Sequence, residues 1–179
     1  KPYQPPGYWS ALNFPSREWQ KDTGAKVYRR GLYTHWQRTF LHPAMLAFDA
    51  PSREEATCER PRSNIPQQAL VLLNDPEFVE AARAFAAKTI AEGGPDDAAK
   101  AAWAFERATG RPPKPEELKV LVAVLAKHRK DFAADPEAAK KLLGVGDAPA
   151  PKDVPPTELA AWTSVCRVVL NLHETMTRQ

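Results

Sequence analysis

Proline placement constrains this chain more than any other feature. Each of its 18 prolines fixes φ and removes a backbone donor, so none belongs inside a helix past its first turn or inside a paired central strand. The first 23 residues hold Pro2, Pro5, Pro6 and Pro15 among Tyr3, Tyr8, Trp9, Phe14 and Trp19. That mixture predicts an extended arm over residues 1–25, with one short helical turn between Trp9 and Phe14. Five aromatics left in water would be unfavourable, so the arm is expected to lie across the rest of the chain.

Further along, proline marks where helices begin. Asn74-Asp75-Pro76-Glu77 reads as a helix start, with Asp75 as N-cap, Pro76 in the first turn and Glu77 favourable to the helix dipole. The helix it opens should run to Ala91, burying Phe78, Val79, Ala82, Phe85 and Ile90, and stop at Gly93-Gly94. Asp135-Pro136-Glu137 repeats the signal for a short helix to Leu143, and Pro115-Glu116-Glu117 opens a long one to about Ala134. Helices are also expected at Lys26–Leu41, from Pro43 through Phe48, at Gln67–Leu73, at Pro95–Thr109 with Ala98, Ala102 and Phe105 inward, and from a Thr157 cap through His173. Asp49–Ile65 has no period and reads as an ordered loop, and residues 144–156 as a flexible connector. No segment alternates over more than a few residues. The fold class is therefore all-α: a compact domain of about six to eight helices over residues 26–179, with the arm before it.

Composition excludes several functions. No stretch approaches ~18 uninterrupted apolar residues, so no membrane span is expected. The net charge is +3 with basic and acidic residues interspersed, which lacks the basic stripe that nucleic-acid binding uses. The chain opens Lys-Pro-Tyr without a leader, as an excised piece of a larger protein would. The two cysteines, Cys58 and Cys166, lie 108 positions apart. No Cys-x-x-Cys exists, which removes zinc ribbons, thioredoxin-like redox and haem attachment within this segment. His35, His42, His128 and His173 are not at ligand spacing, so no metal is expected.

One polar patch stands out between the helices: Asp49, Arg53, Glu54, Glu55, Cys58, Glu59, Arg60, Arg62, Ser63, Asn64, Gln67 and Gln68. Loops anchored by helices hold side chains at fixed angles and often carry ligands. The candidate ligand-binding set is Asp49, Arg53, Glu54, Cys58, Arg60, Arg62, Asn64 and Gln68. Arg60 and Arg62 could clamp an anion by paired donors, and Asp49 with Glu54 or Glu55 could serve as an acid–base pair on a carbohydrate or another polymer. A Cys58 nucleophile would need a histidine supplied by folding, His35 or His42. The competing reading is that these groups satisfy one another and the loop's backbone, forming a buckle between helices.

Three long segments carry a family resemblance. They are Tyr28-Arg29-Arg30-x-Leu32-Tyr33-Thr34-x-Trp36-x-Arg38, Phe48-Asp49-Ala50-Pro51-Ser52-Arg53-Glu54, and Arg62-Ser63-Asn64-x-Pro66-x-Gln68-Ala69-Leu70-Val71-Leu72-Leu73-Asn74-Asp75. With the opening Lys1–Gly7, Thr109–Pro112 and the closing Glu158-Leu159-Ala160-x-Trp162, the sequence resembles the domain-of-unknown-function family 1553. The resemblance implies the C-terminal domain of a large exported planctomycete protein, behind a c-type-cytochrome-like domain and a second helical domain. It implies an extracytoplasmic location, upstream domains of the same polypeptide as partners, no cofactor within this segment and a c-type haem elsewhere in the parent. It carries no catalytic residue. The expected role is a non-catalytic interaction or scaffold domain, with an enzyme or binding site acting on carbohydrate as the alternative.

Overall fold

The computed structural model describes residues 1–11, 18–37, 40–59 and 61–177. Among them are eight α-helices and no β-strand, only one antiparallel bridge between Gln37 and Phe40. The helices are α1 (Pro43–Ala47), α2 (Pro66–Asn74), α3 (Pro76–Glu92), α4 (Asp97–Thr109), α5 (Pro115–Ala134), α6 (Pro136–Leu143), α7 (Pro156–Leu170) and α8 (His173–Met176). Six of the eight begin on proline, as expected where the missing N–H would have had no intrahelical partner. The chain divides into two compact units, Lys1–Val71 and Leu72–Gln179.

The second unit is built around α7. Leu159, Ala160, Ala161, Trp162, Thr163, Val165, Cys166 and Val169 are all buried, so the helix is enclosed on every side, as one apolar all round must be. Thr163 and Ser164 are tolerated there because their hydroxyls donate to the carbonyls of Leu159 (2.7 Å) and Ala160 (3.1 Å) one turn back. The helices α3, α5 and α6 pack against α7. Ala82 and Ala86 on α3 and Ala139 on α6 are fully buried in that core, and side chains this small let backbones approach closely. The expected caps form: Asp75 accepts from the Glu77 N–H (2.9 Å) and Asp135 from the Ala138 N–H (3.0 Å). The helix expected from Pro95 starts at Asp97 instead, because Asp96 caps it by accepting from the Ala99 N–H (2.8 Å). Its inward face is Ala101, Ala104 and Phe105, with Ala98 exposed. Likewise α7 opens at Pro156 with no Thr157 cap and stops at Leu170, and His173 starts α8.

Of the connector expected over 144–156, residues 144–155 hold no helix, Pro156 already opens α7, and the first part is tied to α3. Arg83 donates to the carbonyls of Leu143, Val145 (2.9 Å) and Ala148, while the Glu80 carboxylate accepts from the N–H groups of Asp147 and Ala148 (2.9 Å). Gly146 sits between them at φ +95°, where a Cβ would run into the Glu80 carboxylate. Only glycine suits that position. Arg129 on α5 bridges Asp97 on α4 and Glu158 on α7, and Glu158 also accepts from the Trp162 indole (2.9 Å).

The first unit has little regular structure. The helix expected over Lys26–Leu41 does not form. Short 3-10 turns at Gly24–Lys26 and Gly31–Tyr33 occupy its first part, and residues 38 and 39 lie outside the described residues. The apolar residues have nearly the right period, but Gly31, Val27, Thr34 and a run of aromatics all disfavour helix, and Tyr28, Leu32 and Tyr33 face solvent. Aromatic stacking organises this unit instead. Trp9 is buried between Trp19 (centroids 5.4 Å apart) and Phe40 (5.1 Å), with Tyr8 edge-on to Phe40 (5.6 Å). Each polar tip finds a partner: the Trp9 indole donates to the Gln4 side-chain oxygen (2.6 Å), the Trp19 indole to the Pro2 carbonyl (2.8 Å) and the Tyr8 hydroxyl to the Leu41 carbonyl (3.1 Å). The short helical turn of the arm is a 3-10 turn at Tyr8–Ala11, and Phe14 lies outside the described residues.

Candidate functional site

The loop after α1 begins with two residues in the left-handed region, Asp49 (φ +56°) and Arg53 (φ +63°). Asp tolerates this backbone because its short side chain bonds locally, whereas Arg does so less readily. Both conformations are held by side-chain contacts. The Asp49 carboxylate accepts from the Ser63 N–H (2.7 Å) and from the Ser63 hydroxyl (2.8 Å). On the other side of Ser63, the Gln68 amide on α2 donates to its carbonyl (3.1 Å). Ser63 is therefore clasped from two sides, and the two ends of the loop are closed by Asp49 and Gln68.

Trp36 anchors the near side of the loop. Its indole donates to the Ser52 carbonyl (2.7 Å), and the Arg53 guanidinium lies over its ring, 4.4 Å from the centroid. This cation–π contact gives the strained Arg53 backbone a fixed partner. The Ser52 hydroxyl accepts from the Glu54 N–H (3.3 Å), completing a local turn.

Of the eight candidate residues, folding brings Asp49 and Gln68 together on Ser63 and places Arg53 on Trp36. Cys58, Arg62 and Asn64 are exposed and make no side-chain hydrogen bond among the described residues, Glu54 is exposed, and Arg60 lies outside the described residues. Neither histidine proposed for Cys58 bonds to it. His42 is buried with Nε2 on the Tyr3 carbonyl (2.9 Å), and His35 packs at a tilt against Trp19 (5.8 Å). A carbonyl only accepts, so His42 carries its proton on Nε2, and Nδ1 is buried without a partner among the described residues. Burial pushes the His42 pKa below its ordinary value, although the bond to Tyr3 opposes the shift. The two cysteines are free thiols; Cys58 is exposed, and burial pushes Cys166 up to about 12. Among the described residues no three His, Cys, Asp or Glu side chains gather as metal ligands, and no helix is long and apolar enough to cross a membrane.

Sequence reasoning missed two features. The first is the Glu80–Arg83 pair that holds residues 143–148. The second is the recess beside the Trp9 stack, lined by Gln4, Pro5, Pro6, Ser10, Glu18 and Trp19 and about 450 Å³ in volume.

These features define an all-α protein with an aromatic-stacked, loop-rich first unit and a helical second unit, carrying a polar loop that is bonded mainly to itself. The chain belongs to the family described as a protein of unknown function, DUF1553, whose model matches residues 1–125. The closing segment Glu158–Trp162 lies beyond the matched span. No curated protein and no solved structure matches the chain.

Proposed function

We propose that this chain is a non-catalytic interaction module of a larger exported, redox-associated protein, and that it docks on upstream domains of the same polypeptide. The observation that carries this reading is the segment Tyr28–Tyr33. Tyr28, Leu32 and Tyr33 are 57%, 71% and 69% exposed, and the exposed Arg29 and Arg30 lie between them. Large apolar side chains gathered on a surface and rimmed by charge are the usual mark of a protein contact, and Tyr with Arg is the composition of interface hot spots. The exported, redox-associated setting rests on the family resemblance alone. The polymer-cleaving alternative draws no support from Asp49, whose carboxylate closes the loop on Ser63.

The test is titration calorimetry of this chain against the purified upstream segment. Binding in the micromolar range, lost in a Leu32→Ser/Tyr33→Ser double variant that unfolds at the parent temperature, is the expected result. No heat at about 100 μM of either partner, a level at which an affinity of ~1 μM saturates, would overturn the reading.

A further inference from the structure

A set of cationic side chains converges in the first unit without a helix to carry it. Tight turns shape residues 24–33: the Val27 N–H donates to the Gly24 carbonyl (3.1 Å), the Arg29 N–H to Val27 (2.9 Å) and the Tyr33 N–H to Arg30 (2.8 Å). Lys26, Arg29 and Tyr33 line one shallow pocket, completed by Lys1 and Asp22 and about 290 Å³ in volume. Its walls carry three cationic side chains against one carboxylate.

That carboxylate is already engaged. Asp22 Oδ2 accepts from the Lys1 amino group (2.7 Å), and the Asp22 N–H donates to the Lys1 carbonyl (2.8 Å). Lys1 Nζ lies over the Trp19 ring, 5.7 Å from its centroid. Lys26 and Arg29 are exposed and make no ion pair among the described residues. Like charges gathered on one cavity repel, and more so where its walls displace screening water. An incoming anion relieves that repulsion. A guanidinium takes a carboxylate by two parallel hydrogen bonds, and an ammonium adds a compact point charge. The Tyr33 hydroxyl, which makes no hydrogen bond among the described residues, can donate one more.

Two observations select the kind of anion. The pocket's volume of about 290 Å³ falls just below the ~300–1,000 Å³ of small-molecule sites and suits one or two side chains. Tyr28 and Leu32, 57% and 71% exposed, belong to the same segment, and a free oxyanion would leave them bare. A peptide segment with acidic residues beside apolar ones covers both, and charge complementarity of this kind sets partner choice and register.

We infer that this pocket receives an aspartate or glutamate side chain of the docking partner, so that the segment met by Tyr28–Tyr33 is acidic as well as apolar. The inference rests on the docking reading given above. Its test has two arms, both on the full chain. In the first, calorimetry follows the purified upstream segment at about 50 and about 300 mM sodium chloride, since exposed charge pairs weaken with salt. The expected result is binding weakened tenfold or more by Lys26→Gln/Arg29→Gln at the lower salt, with most of the salt dependence gone. Lys127→Gln/Lys130→Gln removes the same charge from exposed positions on α5 and should leave the affinity unchanged. In the second arm, amide NMR shifts are followed with the capped tripeptide Glu-Phe-Glu, its Gln-Phe-Gln counterpart and sodium sulfate. The glutamate peptide should move the amides of Lys26, Arg29 and Tyr33 at concentrations where the other two do not. A segment whose binding is lost in Leu32→Ser/Tyr33→Ser but not in Lys26→Gln/Arg29→Gln overturns the acidic anchor and leaves the docking reading standing. Equal weakening by the two charge variants is a net-charge effect and overturns the anchor too. A segment that gives no heat overturns the docking reading, and the peptide arm then decides the pocket by itself. There, equal shifts with the glutamate and glutamine peptides, or shifts with sulfate as large, overturn the inference. So does the absence of shifts at about 10 mM peptide, where even a millimolar affinity nears saturation.

Discussion

Arg83 is the residue whose loss should do most harm for least change in volume. It is 3% exposed and feeds three backbone carbonyls, those of Leu143, Val145 and Ala148. The Glu80 carboxylate, 4.0 Å away, holds the other side of the same turn. In Arg83→Met the stem packing survives, but three acceptors lose their donor and a buried carboxylate loses its cation. Counting each acceptor at ~1–3 kcal/mol would overstate the cost. Gly144, Gly146, Asp147 and Ala148 are exposed, so the carbonyls of Val145 and Ala148 can turn to water. The Leu143 carbonyl and Glu80 stay buried. Breaking one side of a buried charged pair costs about 3–5 kcal/mol, and we expect the lower end here, about 3 kcal/mol. That is a large share of the ~5–15 kcal/mol typical of a whole domain and lowers the melting temperature by ~6–12 °C. Urea unfolding at pH 7 measures the loss, and hydrogen exchange at the Asp147 and Ala148 amides locates it. Arg83→Lys should fall between, because an ammonium lacks the planar fork that reaches several carbonyls at once. A loss under ~1 kcal/mol in Arg83→Met, or unchanged protection at those two amides, would refute the reasoning.

The two thiols should react on different timescales. Cys58 is exposed, whereas Cys166 is buried with its pKa pushed up to about 12 by desolvation; a disulfide reagent at pH 8 should titrate one thiol in the native protein and the second only after denaturation. His42 should make the first unit acid-sensitive. Its folded pKa lies below the unfolded value of ~6.5, so the unfolded chain binds the proton first, and stability is full above that pH and falls as pH drops through it. Proton NMR of the His42 ring against pH reads the shift directly, and a midpoint at or above the unfolded value would contradict it.

What the sequence made legible was whatever depends on neighbours close in the chain. Asp75-Pro76 and Asp135-Pro136 specify helix starts within four residues, and α3, α5 and α6 begin on the expected prolines. Lys26–Leu41 failed for a local reason as well: apolar spacing was weighed without the low helix propensity of Gly, Val, Thr and aromatic residues. The polar loop was found as a patch, but its closure was not. Asp49 meets Ser63 across 14 residues, and that pairing depends on the left-handed turn at Asp49, which no spacing rule announces.

The Glu80–Arg83 pair shows how a long-range site can still leave a local trace. An i,i+3 pair of opposite charges on a helix usually faces water and contributes little. Here both residues fall on the stripe that also carries Val79, Ala82 and Ala86, and that stripe is buried. Charges placed on the apolar face of a helix must be paired or bonded, since their desolvation is otherwise too unfavourable. Such a placement announces a polar segment coming to meet them. Two segments offer a pair of residues without side chains, as close approach of backbone to a carboxylate requires; Gly93-Gly94 is taken up in ending α3 itself, which leaves Gly144-Val145-Gly146-Asp147. The partner could thus have been sought there before folding was known.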